Sequence, residues 1–277
     1  MKLENFKQKV FVDFEFQQSD GDLPKPICLV ATILPEGKTM RIWEDELKQM
    51  TKPPYGIGDD TLVVAYYASA EMGCHKALSW ELPMHVLDLY TEFRCLTNGK
   101  QTPCGCGVIG ALAYFGLDTI SATEKESMRN LALRGGPWTE EEKQALLDYC
   151  EGDVKALVSL FPKLLEHIDL PQGLHRGRYM KAAACIEHTG VPIDTEALAN
   201  FRENWEAIKA GIIQEVDKEY SVFEGQTFKQ ERFAQYLAAN DIPWPRTATG
   251  KLALDDDTFR SMTNSYGCSS FKTTLLP

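Results

Sequence analysis

The sequence predicts an α/β protein, with a mixed five-stranded sheet flanked by helices and an all-helical segment after it. Short apolar segments separated by turn residues dominate roughly the first 90 residues, whereas patterns of helical period cover most of the rest. With 277 residues, 44% of them hydrophobic, the chain can form one sizeable core and a smaller unit. The pattern breaks near residues 169–173, which predicts two domains, 1–172 and 173–277.

Five apolar segments bounded by turn residues are predicted to be strands. They are Val10–Phe16, Ile27–Leu34, Thr39–Trp43, Leu62–Tyr67 and His85–Leu89. Short connections join the first three, which implies antiparallel neighbours. A predicted helix over 69–80 separates the last two, so a β-α-β unit completes a mixed sheet.

Helical spacing of apolar residues predicts helices in both domains. They cover roughly 108–115, 124–133 and 139–167 in the first domain, and 178–188, 195–220, 229–240 and 256–263 in the second. The longest helix of the first domain opens with Thr139-Glu140-Glu141-Glu142, and acidic residues favour a helix N-terminus. Residues 268–277 follow no regular pattern, so we expect a frayed end.

The formal net charge of −11 argues by itself against a nucleic-acid partner. Most of the acidic excess lies in 1–172, however, where bound divalent cations would offset several of those charges. The first residues are not leader-like, and no run of roughly 18 apolar residues occurs, so we expect a soluble, cytoplasmic protein with no membrane partner. The eight cysteines lack the spacing of a zinc site or disulfide framework, and we expect reduced thiols.

The first predicted strand carries two carboxylates, Asp13 and Glu15, within an apolar run. Residues two apart on a strand project from the same side, about 7 Å along it. Like charges this close resist burial unless something compensates them, and divalent cations are the common remedy. The alternative is an edge strand with a solvated acidic face.

Three further residues can join these carboxylates. Glu71 lies at the start of the helix after the fourth predicted strand, where the alternative is an acid that only favours the helix dipole. Tyr149 and Asp153 are four apart and share one helical face, where the alternative is a tyrosine packed on a partly exposed aspartate. Four carboxylates from three segments, with a tyrosine beside the last, suit a two-metal phosphodiester hydrolase that uses Mg²⁺ or Mn²⁺.

The order of these residues resembles the DnaQ-like 3′–5′ exonuclease superfamily, an RNase H-like fold, in the subgroup with four acids and a tyrosine. More specifically, it is similar to the proofreading domain of family A DNA polymerases, the bacterial DNA polymerase I type found also in phages and mobile elements. Asp13-Phe14-Glu15 matches the first motif and Tyr149-x-x-x-Asp153 the third. The second motif, usually Asn-x-x-x-Asp, is Tyr67-x-x-x-Glu71 here and departs at both ends.

The resemblance continues after residue 172. Arg176–Met180 and Glu187–Asp194 are similar to the helical connection between exonuclease and polymerase, and Trp244–Arg246 and Leu254–Phe259 to its continuation toward the thumb. The motifs of a polymerase palm are missing. The resemblance therefore implies a truncated polymerase fragment without polymerase activity, for which a separate polymerase subunit is a candidate partner.

The resemblance also implies roles for the site residues. Asp13 would bridge two metal ions, Glu15 and Asp153 would hold the ion that activates water, and Glu71 would assist the other. Tyr149 would orient the attacking water, and the substrate would be the single-stranded 3′ end of DNA.

Basic residues near these motifs are candidates for contact with the nucleic-acid backbone. They are Arg129, Arg176, Arg178 and Lys181, for which the alternative is a solvated face. Phe14 and Phe16 alternate with the acids and are expected in the core. Two rival functions remain open, namely RNA trimming of the RNase D type and a non-catalytic module that binds DNA or a polymerase subunit.

Overall fold

Five strands form one twisted sheet in the computed structural model of the chain, which describes residues 2–102, 104–118 and 122–266, without the side chains of 122–125 and 263–266. The strands are β1 (Gln8–Gln17), β2 (Lys25–Leu34), β3 (Lys38–Trp43), β4 (Thr61–Ala65) and β5 (His85–Asp88). Their order in the sheet is β3-β2-β1-β4-β5. The two pairings among β1, β2 and β3 are antiparallel, and those of β4 with β1 and β5 are parallel. The predicted mixed five-stranded sheet is therefore confirmed.

Seven α-helices accompany the sheet in the part of the first unit that the structure describes. They are α1 (Glu44–Leu47), α2 (Ala68–Ala77), α3 (Leu89–Leu96), α4 (Val108–Tyr114), α5 (Ala122–Arg134), α6 (Glu140–Leu165) and α7 (Leu170–Thr189). A capping box between Thr139 and Glu142 begins α6, at the position that the acid-rich sequence predicts. The sequence did not predict α1, a single turn, or α3, which begins where β5 ends because the Asp88 carboxylate caps its first turn.

The central strand β1 is covered on both faces. Phe11 belongs to the apolar cluster that contains residues of α3, α4 and α6, whereas Val10, Val12 and Phe14 belong to the cluster on the α2 side. The expected core position of Phe14 is confirmed by its 3% exposure, while Phe16 is partly buried. Because side chains two apart on a strand point to the same face, the Asp13 side chain projects with that of Phe11 toward α6.

Helix α7 begins earlier than the sequence predicted. The carboxylate of Asp169 accepts a hydrogen bond from the Gln172 amide, and a proline occupies the first turn, where its missing N–H costs nothing. The apparent break at 169–173 is therefore a helix start. The division between compact units lies after Gly190, and α7 packs against α2 and β5 in the first unit. The predicted domain boundary at residue 172 thus falls in the first turn of this helix. The resemblance of residues 173–277 to the connection between exonuclease and polymerase stays a prediction.

The second unit contains α8 (Thr195–Tyr220), α9 (Gln230–Ala239) and α10 (Asp256–Tyr266) around its own core. That core consists of Val216, Tyr220, Val222, Phe233, Leu237 and Phe259. The unit is mostly helical rather than all helical, since β6 (Phe223–Glu224) and β7 (Thr227–Phe228) form a short hairpin. Gly225 in its turn has a φ of 60°, a conformation that glycine adopts without steric penalty. The end of the chain predicted to fray, 268–277, lies outside the described residues.

Two sequence-level expectations concern membranes and thiols. Among the residues described, no helix has the length and apolarity needed to cross a membrane. The cysteines that the structure describes are all free thiols.

A buried histidine on α2 makes the stability of the first unit depend on pH. The Nδ1–H of His75 donates to the Glu81 carbonyl at 3.0 Å, so Nε2 accepts from the Tyr55 hydroxyl at 2.6 Å. Burial lowers the pKa of His75 to about 4, below its usual 6.5. The folded state thus binds fewer protons than the unfolded state, and stability falls as the pH drops from 6.5 toward 4, by about 3 kcal/mol from this group.

We expect urea unfolding curves of the wild type at pH 7 and pH 4.5 to show this loss. The His75→Gln variant should lack the His75 share of the pH dependence, whereas His175→Gln, at an exposed position of α7, should retain it. The same pH dependence in all three proteins would contradict the assignment.

Candidate active site

The strand β1 delivers two carboxylates to the face of the sheet that α6 covers. Asp13 lies opposite Val30 in β2 and Glu15 opposite Cys28, and a bulge follows Glu15 in the pairing. The Cys150 thiol of α6 donates a hydrogen bond to the main-chain carbonyl of Asp13 at 3.3 Å. Strand and helix are thereby connected at the level of the acids.

Helix α6 adds Asp153 and Tyr149. One ligand oxygen each from Asp13, Glu15 and Asp153 lie within 4.8 Å of one another. The phenol of Tyr149 donates a hydrogen bond to Asp153, and burial followed by the charges of Asp153 and Glu15 raises its pKa. Tyr149 therefore keeps its proton at neutral pH. The structure thus brings together four of the five predicted catalytic residues.

The fifth residue, Glu71, approaches the group from α2. Its side chain is 3% exposed, and its carboxylate accepts a hydrogen bond from the Phe14 amide. Burial, then the charges of Asp13 and Glu15, raise its pKa well above the usual value. Glu71 does not belong to the 4.8 Å group, although it is close enough to feel both acids.

Comparison with solved structures shows the fold. The POL domain of Pol1 from M. smegmatis, in complex with DNA primer-template and dNTP, is similar to the chain with a TM-score of 0.52 and 16% identity, over 95% of this chain and 42% of that one. The fold is DnaQ-like and RNase H-like. This fold accounts for the meeting of α2 and α6 near the carboxyl end of the central strand β1.

Two ribonucleases were also similar. RNase D from Escherichia coli gives a TM-score of 0.43 at 19% identity, over 72% of this chain and 49% of that one. Trypanosoma brucei RNase D in complex with RNA U12 gives 0.47 at 13% identity, over 93% and 80%. The chain thus spans about half of the E. coli protein and less than half of the Pol1 chain. No protein-family model matches the sequence, and comparison with curated proteins gives no match.

The acidic group of this DnaQ-like fold fits divalent cations. Its potential ligands are all carboxylate oxygens, which suit hard ions such as Mg²⁺ or Mn²⁺ rather than soft ones. Glu71 Oε2 is buried and makes no hydrogen bond within the described part of the chain. A buried carboxylate oxygen beside other acids is costly without a cation, so the donor set suits a metal centre.

Beside the acids lies a groove that the sequence did not indicate. It has a volume of about 390 Å³ and is lined by Glu15, residues 18–21 of the loop after β1, and Arg129 and Leu133 of α5. Of the predicted nucleic-acid contacts, Arg129 is therefore placed next to the acidic group. No sequence pattern marks the loop, because its residues become a wall only when α5 packs beside β1.

The other predicted contacts lie on α7, and two of them have partners within the protein. The guanidinium of Arg176 forms two hydrogen bonds of 2.6 Å with the buried carboxylate of Glu92. Lys181 donates to the main-chain carbonyls of Pro83 and Met84, at 2.8 and 2.9 Å. Arg178 is exposed and lies 3.4 Å from a histidine nitrogen. Arg176 thus connects α7 to α3, and Lys181 connects it to the residues just before β5. Contact of these side chains with DNA stays a prediction.

Proposed function

We propose that the chain is a metal-dependent 3′–5′ exonuclease that hydrolyses DNA from the 3′ end, of the proofreading type found in family A DNA polymerases. The convergence of Asp13, Glu15 and Asp153, with Tyr149 bonded to Asp153, carries this proposal. The chain would act without polymerase activity of its own, and a separate polymerase subunit would be a natural partner.

Each acid has a position that suits a role. Asp13, Glu15, Glu71 and Asp153 would hold two divalent ions, Mg²⁺ or Mn²⁺, which when bound lower the pKa of a water molecule and stabilise the leaving oxygen. Asp13 lies in the group with Asp153 of α6, and its charge acts on Glu71 more strongly than that of Glu15, so it suits a shared ligand. The glutamate at 71 reaches the group from the opposite helix, and its buried carboxylate is held by the Phe14 amide.

Tyr149 would position water. Its hydroxyl donates to Asp153, which fixes the ring, and the hydroxyl oxygen is left with lone pairs that can accept from a water molecule. A water held there would lie beside the acids, next to the phosphodiester of the terminal nucleotide that it attacks. Because the phenol keeps its proton, Tyr149 orients the nucleophile and does not act as the base.

We expect Tyr149→Phe to lower the single-turnover cleavage rate by roughly 10- to 100-fold while DNA affinity changes less than twofold. Loss of one hydrogen bond to the reacting water explains the rate, a cost of about 1–3 kcal/mol. Rates from rapid quench and affinity from fluorescence anisotropy measure the two effects. Equal losses in rate and affinity would indicate a packing role for the ring instead.

The groove beside Glu15 gives the terminal nucleotide a place. Arg129 at its wall can offset phosphate charge, and the apolar side chains of Phe16 and Leu133 in the lining suit a base. A strand that enters from this side would put its last phosphodiester next to the acidic group.

The deciding experiment is degradation of a 5′-labelled, 3′-recessed DNA duplex, its single strand and the equivalent RNA, with Mg²⁺, Mn²⁺ or EDTA. A metal-dependent ladder from the 3′ end of DNA supports the proposal. A ladder from RNA alone would favour RNA trimming, and no ladder with either ion would favour a binding module in which Glu71 has weakened catalysis. Asp13→Ala serves as the inactive control.

A further inference from the structure

Three aromatic residues cluster at the ends of β4 and β5, where the carboxyl end of the parallel part of the sheet lies. The rings of Tyr67 and Tyr90 meet edge to face with centroids 5.3 Å apart, and Tyr66 meets Tyr90 at 5.7 Å. Tyr67 is 50% exposed, so its ring is accessible to solvent although it contacts Tyr90. We call Tyr67, Tyr90 and the neighbouring Arg94 the tyrosine platform.

One buried carboxylate, that of Asp88, binds the main chain of both platform tyrosines, Tyr67 and Tyr90. Asp88 is 1% exposed, and its Oδ1 accepts hydrogen bonds from the amides of Tyr67 at 2.8 Å and Tyr90 at 3.0 Å. Its Oδ2 accepts from the Thr91 hydroxyl at 2.8 Å. Two segments 23 residues apart in sequence are thereby fixed to the same group, which brings the two ring-bearing residues together.

The backbone of Tyr67 is in a conformation that aromatic residues rarely adopt. Its φ of 73° and ψ of 56° lie in the left-handed region, where the Cβ of an L-residue is crowded. The residue immediately precedes α2 and lies one turn before Glu71. Packing of the ring in the core does not explain this strained backbone, because the ring is exposed. A strained residue with an accessible side chain is typical of a binding position.

Arg94 adds a cation to the platform. Its guanidinium carbon lies 5.8 Å from the centre of the Tyr90 ring, and it donates to the Tyr90 hydroxyl at 3.2 Å. Arg94 is exposed, and these two contacts orient it. An exposed aromatic ring beside an oriented arginine is the combination that binds single-stranded nucleic acid, since bases stack on rings and phosphates pair with cations.

We propose that the tyrosine platform binds unpaired bases of the DNA strand whose 3′ end lies at the acidic group. This inference rests on the proposed function and adds a second contact region to it. Tyr67 would stack on a base upstream of the terminal nucleotide, while Arg94 would contact the backbone. Phe11 of β1 pairs with Val64 of β4, so the end of β4 that leads to Tyr67 lies level with the stretch of β1 that carries Asp13.

The test is DNA binding without cleavage. The probe is a 5′-fluorescein oligothymidylate of about 12 nucleotides in EDTA at low salt, followed by anisotropy. Tyr67→Asn removes the ring, and asparagine tolerates the left-handed conformation, so the fold should persist. We expect its Kd to rise about tenfold, the effect of one lost stacked base. Tyr67→Phe should bind like the wild type.

Tyr179→Asn is the matched control, because Tyr179 is also an exposed tyrosine of the first unit but lies on α7 and is not a residue of the platform. Its affinity should not change. A 2-aminopurine near the 3′ end of the probe should change fluorescence on binding to the wild type and Tyr67→Phe, but not to Tyr67→Asn. Equal affinities of Tyr67→Asn and the wild type, or no binding by the wild type, would overturn the inference.

The result stays separable from that of the nuclease assay. A wild type that binds through Tyr67 but yields no ladder refutes the proposed nuclease and leaves the platform standing. A wild type that yields a ladder while Tyr67→Asn binds equally well refutes the platform alone.

Discussion

Asp13→Ala is expected to reduce cleavage by about a thousandfold or more, equivalent to roughly 4 kcal/mol in the activation free energy. Asp13 contributes a ligand oxygen to the group with Glu15 and Asp153 and is also close to Glu71, so its loss would remove a carboxylate that lies near every other acid of the site. The fold should persist, because an alanine opposite Val30 fits the sheet and one charge fewer remains beside Glu15. Single-turnover cleavage and thermal unfolding in EDTA measure the two effects, and the melting temperature should equal or exceed that of the wild type.

The matched control for this variant is Glu151→Ala, a carboxylate on α6 that ion-pairs with Arg41 and Lys155 instead of joining the acidic group. Loss of surface ion pairs costs at most about 1 kcal/mol, and activity should stay at the wild-type level. Cleavage by Asp13→Ala at more than about a tenth of the wild-type rate would exclude Asp13 from the site.

The second large effect is on stability, at Gly177 in α7. A Cβ built there would lie 1.8 Å from the main-chain oxygen of Val86 in β5, so the helix would have to move away from the sheet. We expect Gly177→Ala to cost about 3 kcal/mol or more, since overpacking against backbone cannot be relieved by a side-chain rotation. The melting temperature should fall by roughly 6–12 °C. Calorimetry or circular dichroism measures this.

Gly73→Ala in α2 is the control for that variant. The same Cβ would meet only a proline ring carbon at 3.6 Å, an ordinary contact, so the helix should gain about 0.5–1 kcal/mol from the lower entropy of the unfolded chain. If Gly177→Ala were as stable as Gly73→Ala, α7 would not be packed as closely on β5 as the structure shows.

The features that could be predicted from the sequence are those set by the local periodicity of strands and helices. Alternation along β1 places Asp13 and Glu15 on one face, and a spacing of four along α6 places Tyr149 and Asp153 on another. In the structure these two faces meet, since ligand oxygens of Asp13, Glu15 and Asp153 lie within 4.8 Å of one another. The pattern around Leu170, by contrast, was misread, because a proline in the first turn of a helix can be mistaken for a break.

The sequence by itself determined the order of the five sheet strands and of most helices, the spacing of the acids and the tyrosine, and the acidic excess of the first unit, because these depend on short-range patterns. Only the tertiary structure decided which groups meet. It paired Arg176 with Glu92 across 84 residues, buried Glu71 beside Asp13, and joined Tyr67 and Tyr90 through Asp88. The physical reason is that burial and the pairing of charges depend on distances in space, which periodicity along the chain does not specify.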